Sequence, residues 1–522
     1  MALKQDTFAA LPGAARLVLA AAGGLLTAAA FPPLDWGLLA FVGLAPLFLA
    51  LPGASRRAAG GLGYAYGLAF FLATIPWVIT TMTVYGKLPF VLSVLVLLLL
   101  AGVLALYPAA FAVLLREGEA RLPLPGWLLP VVAALLWVGL EVARTFLLSG
   151  FPWALLGYTQ YRQPTVRLLA AALGVYGISG LVVLVNAALA RLLLTLPSGR
   201  RPEGLAAAGL AVVALLGTGA YAHGLWRDPT GGEPQTVALL QGNIDQSIKW
   251  DEGFQARTLE IYERLARRAA AERPALIVWP ETAVPFFLRY EPVLGERVLR
   301  LARELGIPML VGSPDASADR LYNSAFLVMP DGRIAERYDK RHLVPFGEYV
   351  PLQSLLFFVE KMVVGIGDFG RGREATVFPL DGLSFGTMIC YEVIFPGEVR
   401  EFARAGARLL VNITNDAWFG RSGAPAQHLA MAALRAVENG SYLVRAANTG
   451  ISAVIAPTGA IQAATELFRE AAITGRVRPR QTETFYTRTG GIQSAAAAAF
   501  LILYSAILLA AALRRAGPGR EA

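Results

Sequence analysis

Three side chains of this 522-residue chain follow short apolar runs: Glu281 after Pro274–Trp279, Lys340 after the run ending at Tyr338, and Cys390 after Ser384–Ile389. A carboxylate, an ammonium and a thiol together suit acyl transfer through a thioester. A thiol is a weak nucleophile until a base takes its proton, and a carboxylate of raised pKa can be that base. A nearby cation favours the thiolate and also stabilises the oxyanion of a tetrahedral intermediate. Taken one at a time the residues have plainer readings. A lone cysteine after an apolar strand is more often a core residue, Lys340 fits a solvated turn, and Glu281 fits the first turn of a helix. Cys390 is the one cysteine in the chain, so it has no internal disulfide partner.

The elements that must position these groups are of two textures. Hydrophobic residues make up 56% and charged residues 16%, against about 45–50% and about 25% in ordinary globular chains. The mean hydropathy is +0.53. This composition excludes a disordered or collagen-like chain and argues against a wholly soluble one. The net charge is +9, but the arginines flank apolar runs and form no basic cluster with interleaved aromatics, so no nucleic-acid partner is expected. A spanning helix needs about 20 mostly apolar residues, and eight such runs lie near 10–31, 35–52, 60–82, 88–115, 125–148, 168–196, 203–226 and 491–513. The first has no cleavage site of the Ala-x-Ala kind and reads as a retained span. Lys4, Arg16, Arg56, Arg57, Arg116, Arg121, Arg191, Arg200, Arg201, Arg514, Arg515 and Arg520 fall on one side of this arrangement. The opposite side has Lys87, Arg162 and Arg167. That bias predicts cytoplasmic termini and an external segment between the seventh and eighth helices. The expected organisation is a membrane domain of seven helices over 1–226, a catalytic domain over 227–486, and an eighth helix with a tail over 487–522.

Residues 227–486 alternate short strands with amphipathic helices. Phe254–Glu272 has apolar residues at helical spacing. Pro274–Trp279, Pro308–Gly312, Ser384–Ile389 and Ala407–Val411 read as strands. Ser324–Met329 and Arg333–Tyr338 flank Pro330-Asp331-Gly332 as a hairpin, and a second hairpin turns at Pro457-Thr458-Gly459. The pattern predicts an α/β or four-layer αββα domain.

The runs Val278-Trp279-Pro280-Glu281-Thr282, Tyr338-Asp339-Lys340-Arg341-His342-Leu343-Val344-Pro345-Phe346-Gly347-Glu348 and Ile389-Cys390-Tyr391-Glu392 resemble the three signature regions of the nitrilase superfamily. The resemblance covers about 235–485. It implies a four-layer αββα fold with a Glu-Lys-Cys triad: Glu281 as general base, Lys340 as oxyanion stabiliser and Cys390 as nucleophile. It places the family's second glutamate at Glu348. The whole chain is similar to a membrane-embedded branch of that superfamily, the bacterial apolipoprotein N-acyltransferases. The further residues that fit are Gln241-Gly242-Asn243, Lys249-Trp250, PFGEYVPL at 345–352 and the run Asn412–Gly420 (NITNDAWFG).

That resemblance implies a ping-pong reaction. Cys390 takes an acyl chain from a phospholipid, typically phosphatidylethanolamine, and the thioester passes it to the α-amino group of an S-diacylglyceryl-cysteine on an apolipoprotein. It also implies a bacterial inner-membrane location with the catalytic domain in the periplasm, supporting roles for Glu348, Tyr391, Glu392 and Asn415, and no cofactor. Trp250, Trp418, Trp153, Phe357, Phe358 and Met362 are candidate lipid contacts. Phe357, Phe358, Met362 and Val363 lie in an apolar loop near 353–366 that reads as a lid or as core. Trp153 fits an interfacial aromatic belt equally well. Glu141 and Arg144, inside the fifth run, read as a functional pair or a local ion pair. His342 and His428 are too few and too far apart for a metal site. Two other functions remain open: a membrane-anchored amidase using the same triad, for which one anchor would suffice, and a transporter or interaction protein, for which paired interrupted helices are missing.

Overall fold

The computed structural model describes residues 11–196, 200–317, 320–349 and 369–516. Two compact units emerge. One comprises Met1–Ile79, Phe90–Trp226 and Thr489–Ala522, and the other Thr80–Pro89 and Arg227–Arg488.

The first unit is helical. Its elements are α1 (Gly13–Ala29), α2 (Gly37–Ala50), α3 (Arg56–Thr74), α4 (Trp77–Tyr85, whose last residues fall in the second unit), α5 (Phe90–Arg121), α6 (Gly126–Ser149), α7 (Ala170–Thr195) and α8 (Arg201–Leu225), with a C-terminal helix Phe485–Arg514. All eight apolar runs are helical, but their lengths correct the expected count. Among the described residues five helices, α5 to α8 and the C-terminal one, are long and apolar enough to cross a membrane, and α3 with α4 makes a sixth if that bent pair is one span. The bend is 52°. It falls at Pro76, which has no N–H to continue the helical ladder and whose ring crowds the preceding turn. α1 has 17 residues, about 26 Å at 1.5 Å per residue, and α2 is shorter still, so neither matches a hydrocarbon core of about 30 Å.

Close packing in this unit comes from small residues, as it does where lipid and side chain are equally apolar. A Cβ at Gly63 of α3 would lie 2.3 Å from the carbonyl oxygen of Pro108, and one at Gly67 would lie 2.9 Å from the Cα of Ala105. These glycines, one turn apart, let α3 meet α5 backbone to backbone. Buried polar groups are bonded. Asn186 of α7 accepts from the N–H groups of Leu44 and Ala45 at 2.8 and 2.9 Å and donates to the carbonyls of Ala40 and Val182, both at 2.8 Å. It thereby satisfies backbone freed where α2 is irregular.

The second unit holds two six-stranded sheets. The strands are β1 (Gln235–Gln241), β2 (Leu276–Val278), β3 (Met309–Ser317), β4 (Arg320–Val328), β5 (Ile334–Asp339), β6 (Val377–Phe378), β7 (Phe385–Ile389), β8 (Leu409–Thr414), β9 (Leu443–Ala447), β10 (Ala453–Ile455), β11 (Ile461–Ala464) and β12 (Ala471–Val477). The orders are β12-β1-β2-β3-β4-β5 and β11-β10-β9-β8-β7-β6. β1, β2 and β3 run parallel, as do β7, β8 and β9. Helices α9 (Glu252–Ala270) and α10 (Leu294–Leu305) cover the first sheet, and α11 (Pro396–Arg404) and α12 (Ala424–Asn439) the second.

Alternation decides which side chains meet the helices. Ala238 and Leu240 of β1, and Met309 and Val311 of β3, join one core with Leu259, Tyr262, Val298 and Leu301 of α9 and α10. The intervening Val237, Leu239 and Leu310 are also fully buried and face the other sheet, where Gly475 abuts Val454. Strands buried on both faces are the mark of a layered α/β core, and the layering is αββα. Both expected hairpins form, β4–β5 and β10–β11, with Gly332 and Gly459 at positive φ in the turns.

Candidate active site

The candidate side chains collect just beyond strand ends: Glu281 after β2, Lys340 after β5, Cys390 after β7 and Asn415 after β8. In an open parallel sheet the carboxyl ends diverge and leave a crevice for ligand.

Glu281, Lys340 and Glu348 are buried together, at 7%, 1% and 8% exposure. Lys340 Nζ lies 2.9 Å from the Glu348 carboxylate and 3.7 Å from Glu281 Oε1. Asn323 of β4 bridges the two acids, its Nδ2 donating to Glu281 Oε1 at 2.7 Å and to Glu348 Oε1 at 3.0 Å. Glu348 also accepts from the Val344 N–H at 2.8 Å. Burial alone would lower the Lys340 ammonium, but Glu348 and then Glu281 outweigh it and hold the group charged, its pKa raised.

Cys390 is half-buried and has φ 54°. This left-handed backbone costs a non-glycine residue about 1–3 kcal/mol, and it turns the chain sharply out of β7. Glu392 holds that elbow. Its Oε2 accepts from the Ile389 N–H at 2.7 Å, while Oε1 accepts from Tyr338 Oη at 2.8 Å and from the N–H groups of Arg341 and His342 at 2.6 and 3.1 Å. One carboxylate therefore ties the segment carrying Lys340 to the segment carrying Cys390. Burial, then Glu398, pushes Glu392 up to about 7. Burial pushes the Cys390 thiol up to about 12, with Glu281 adding to the rise and Lys340 opposing it. A thiol so placed stays protonated until a base acts. Tyr391 lies within the electrostatic reach of both Lys340 and Cys390.

Asn415 sits one layer out. Its Nδ2 donates to Gln246 Oε1 at 2.6 Å, and its Oδ1 accepts from Asn448 Nδ2 at 3.1 Å. Beneath Cys390 a buried cluster joins Asp416, His428 and Arg445: Arg445 Nη2 is 2.6 Å from Asp416 Oδ2, and His428 Nδ1 is 3.0 Å from Asp416 Oδ1. Burial favours the neutral acid, but Arg445 and His428 overcome it and hold the Asp416 carboxyl well below the usual range. His428 is thus a buried network residue. His342 pairs with Glu398 and stacks on Phe395 at 3.7 Å.

The aromatic candidates separate. Trp250 and Trp418 are half-buried in this unit. Trp418 is held by Thr81 and Tyr85, the hydroxyl of Thr81 donating to its carbonyl at 2.9 Å and the Tyr85 ring packing at 5.2 Å. Trp153 belongs to the helical unit and is 1% exposed, between Trp77 and Phe151, so it packs the interior and shows no face to lipid. Glu141 and Arg144 both brace that same loop. Glu141 Oε1 accepts from Trp137 Nε1 and the Leu156 N–H at 3.0 and 2.9 Å, and Arg144 donates to the Trp153 carbonyl at 2.7 Å. Phe357, Phe358, Met362 and Val363 lie outside the described residues.

Two groups at the site had no signal of their own in the sequence. Asn323 lies mid-strand between Tyr322 and Ser324, and only the register of β4 brings it to the acids. Lys249 reads as half of a Lys-Trp pair at the domain entrance, yet it is 2% exposed and its Nζ donates to the Glu281 carbonyl at 3.2 Å.

The family model for carbon-nitrogen hydrolases matches residues 236–486, and the apolipoprotein N-acyltransferase N-terminal domain matches residues 23–188. A protein named apolipoprotein N-acyltransferase in Geobacter metallireducens is 46% identical over 98% of this chain and 98% of its own. Proteins of the same name in Methylococcus capsulatus and Ralstonia nicotianae are each 37% identical, covering 91% and 96% of this chain and 92% and 94% of their own. With both parts of the chain matched in order and relatives aligned nearly end to end, the chain belongs to the apolipoprotein N-acyltransferase family of membrane acyltransferases.

Proposed function

We propose that the protein N-acylates apolipoproteins in a bacterial inner membrane, through a thioester on Cys390, with the domain over 227–486 in the periplasm and both termini in the cytoplasm. The donor is a phospholipid, with phosphatidylethanolamine first among them, and the acceptor is the α-amino group of an S-diacylglyceryl-cysteine. The observation that carries this reading is the placement of Glu281 and Lys340 around a thiol that burial keeps protonated.

In the first half-reaction Glu281 takes the thiol proton as Sγ attacks the ester carbonyl, and the Lys340 ammonium faces the oxyanion. The carbon–oxygen bond breaks, the proton passes from Glu281 to the departing lysophospholipid alkoxide, and the thioester remains. In the second, the acceptor amine attacks the thioester, Glu281 takes the amine's proton, the carbon–sulfur bond breaks, and the proton returns to sulfur. Keeping Lys340 charged is the role that the proximity of Glu348 supports. A buried site fused to apolar helices suits substrates that never leave a bilayer, and it shields the thioester from water.

Intact-mass measurement of the purified protein with phosphatidylethanolamine tests this. A fatty-acyl adduct should appear on Cys390, be absent from Cys390→Ala and Cys390→Ser, and disappear on addition of a diacylated lipopeptide. Hydrolysis of a small amide, with no acyl adduct from phospholipid, would point instead to a membrane-anchored amidase.

A further inference from the structure

The site has a second buried lysine, and its placement is enforced. After β1 the chain turns at Asn243, which has φ 52°, and is sewn to the loop beyond β9. The Asn243 N–H donates to the Asn448 carbonyl at 2.9 Å, the Ile244 N–H to Asn448 Oδ1 at 2.9 Å, and Asn448 Nδ2 to the Ile244 carbonyl at 2.8 Å. Gln246 then accepts from Asn415. These bonds lower residues 243–249 onto the crevice and deliver Lys249, 2% exposed, to the carbonyl of the residue proposed as base. Among the described residues that carbonyl is its one hydrogen-bond acceptor, although an ammonium has three donors. An isolated buried ammonium is expensive, and a long side chain buried only for a single backbone contact would be poor packing.

We propose that Lys249 is a second electrostatic group of the acyl-transfer site, a positioning residue whose positive charge acts through the Glu281–Cys390 pair to favour the thiolate. This rests on the thioester reading above and deepens it. The charge count explains the need. Glu281 and Glu348 bring two negative charges and Lys340 only one positive. With Lys249 these four groups sum to zero when the thiol is protonated, and together with the thiol they still sum to zero when its proton moves to Glu281. Without Lys249 the remaining three carry one net negative charge during the same transfer, which opposes a thiolate.

The groups that face Lys249 are Glu281 and Cys390, with Lys340 and Glu348 beyond them, and Asp416 acting on Cys390 from below. Burial lowers the Lys249 ammonium to about 8, with Glu281 and then Cys390 holding it up. Its help to the thiolate is therefore present below that pH and fades above it.

Cys390 is the chain's single cysteine, so alkylation of the full-length protein by iodoacetamide reports on this thiol alone. In the parent protein the logarithm of the alkylation rate should climb with pH and then bend to a shallower slope near pH 8. Lys249→Met should react about tenfold more slowly at pH 7, equivalent to about one pH unit in the thiol, and its profile should lose the bend. Lys249→Gln keeps a donor for the Glu281 carbonyl but no charge, and should behave like the Met variant. Lys249→Arg should keep the parent rate at pH 7 with no bend. Parent-like rates and a retained bend in either neutral variant, at unchanged melting temperature, would overturn the proposal, and so would rescue by Gln alone, since the hydrogen bond would then be the whole role. Should Met prevent folding, Gln decides. The alkylation profile is read without lipid, whereas failure of the parent protein to form an acyl adduct would overturn the thioester reading itself.

Discussion

At the scale of single residues, the proposed mechanism has Glu281 and Lys340 act on one sulfur in different ways, so their variants should fail for different reasons. Glu281→Gln keeps the bond to Asn323 but cannot take a proton, so the acyl adduct on Cys390 should not accumulate during incubation with phospholipid. An adduct forming at the parent rate would show that another group is the base. Lys340→Met removes the cation facing the oxyanion, and its loss should cost about 3–4 kcal/mol of transition-state stabilisation, read as a fall of two to three orders of magnitude in the single-turnover acylation rate. Asp416 belongs to stability more than to chemistry. Its carboxyl is held below its ordinary value of 3.8 by Arg445 and His428, so it contributes stability that is complete above that value and lost as pH falls through the depressed one. Asp416→Asn should melt well below the parent at pH 7, and the gap should narrow as the pH drops below about 4. A gap constant over that range would mean that the charge of Asp416 does not matter to the fold.

At the scale of elements, the glycines of α3 carry the argument. A side chain at Gly63 would meet the Pro108 carbonyl, and one at Gly67 the Ala105 backbone. Neither obstacle can swing aside as a flexible side chain can. Gly63→Leu and Gly67→Leu should each lower stability by about 1–3 kcal/mol through overpacking, seen as a lower melting temperature in detergent. Gly61→Leu, on the same helix with nothing within 4 Å, is the control and should not lower melting, since Leu is the better helix former. Equal losses at all three positions would show that the effect does not come from the α3–α5 contact, and helix propensity, which favours Leu over Gly, could not account for them.

At the scale of the whole molecule, the proposed orientation depends on arginines counted along the chain and not on any single contact. A reporter active only outside the cytoplasm should be active when fused after Gly232 and silent when fused after Arg201. The reverse pattern would refute the periplasmic placement and with it access to exported lipoproteins. This expectation takes α3 with α4 as one span: five spans, that bent pair and α5 to α8, then precede the domain, an odd number that puts it across the membrane from the N-terminus.

The apolar runs, the strands that end at Glu281 and Cys390, and both hairpins could be read from the sequence because each rests on local physics: length of apolar stretch, alternation, and turn residues that tolerate positive φ. Residue type and an adjacent strand end showed what Glu281, Lys340 and Cys390 could do, but taken singly each also had a plainer reading, and it was the resemblance of the three surrounding motifs that singled them out. What the sequence did not hold was anything that depends on two distant segments meeting. Asn323 reaches the two carboxylates only because β4 lies between β3, beside the strand that ends at Glu281, and β5, which leads to Lys340 and Glu348. Lys249 becomes part of the site only because Asn448, some two hundred residues later, pins the loop that carries it. Trp153 and the Glu141–Arg144 pair show the same limit from the other direction, for an aromatic or a charge near the end of an apolar helix looks the same in sequence whether it faces lipid or a folded loop. Local propensity acts over a few residues, while burial and hydrogen-bond partners are set by the packing of elements far apart in the chain, and only the tertiary structure decides those.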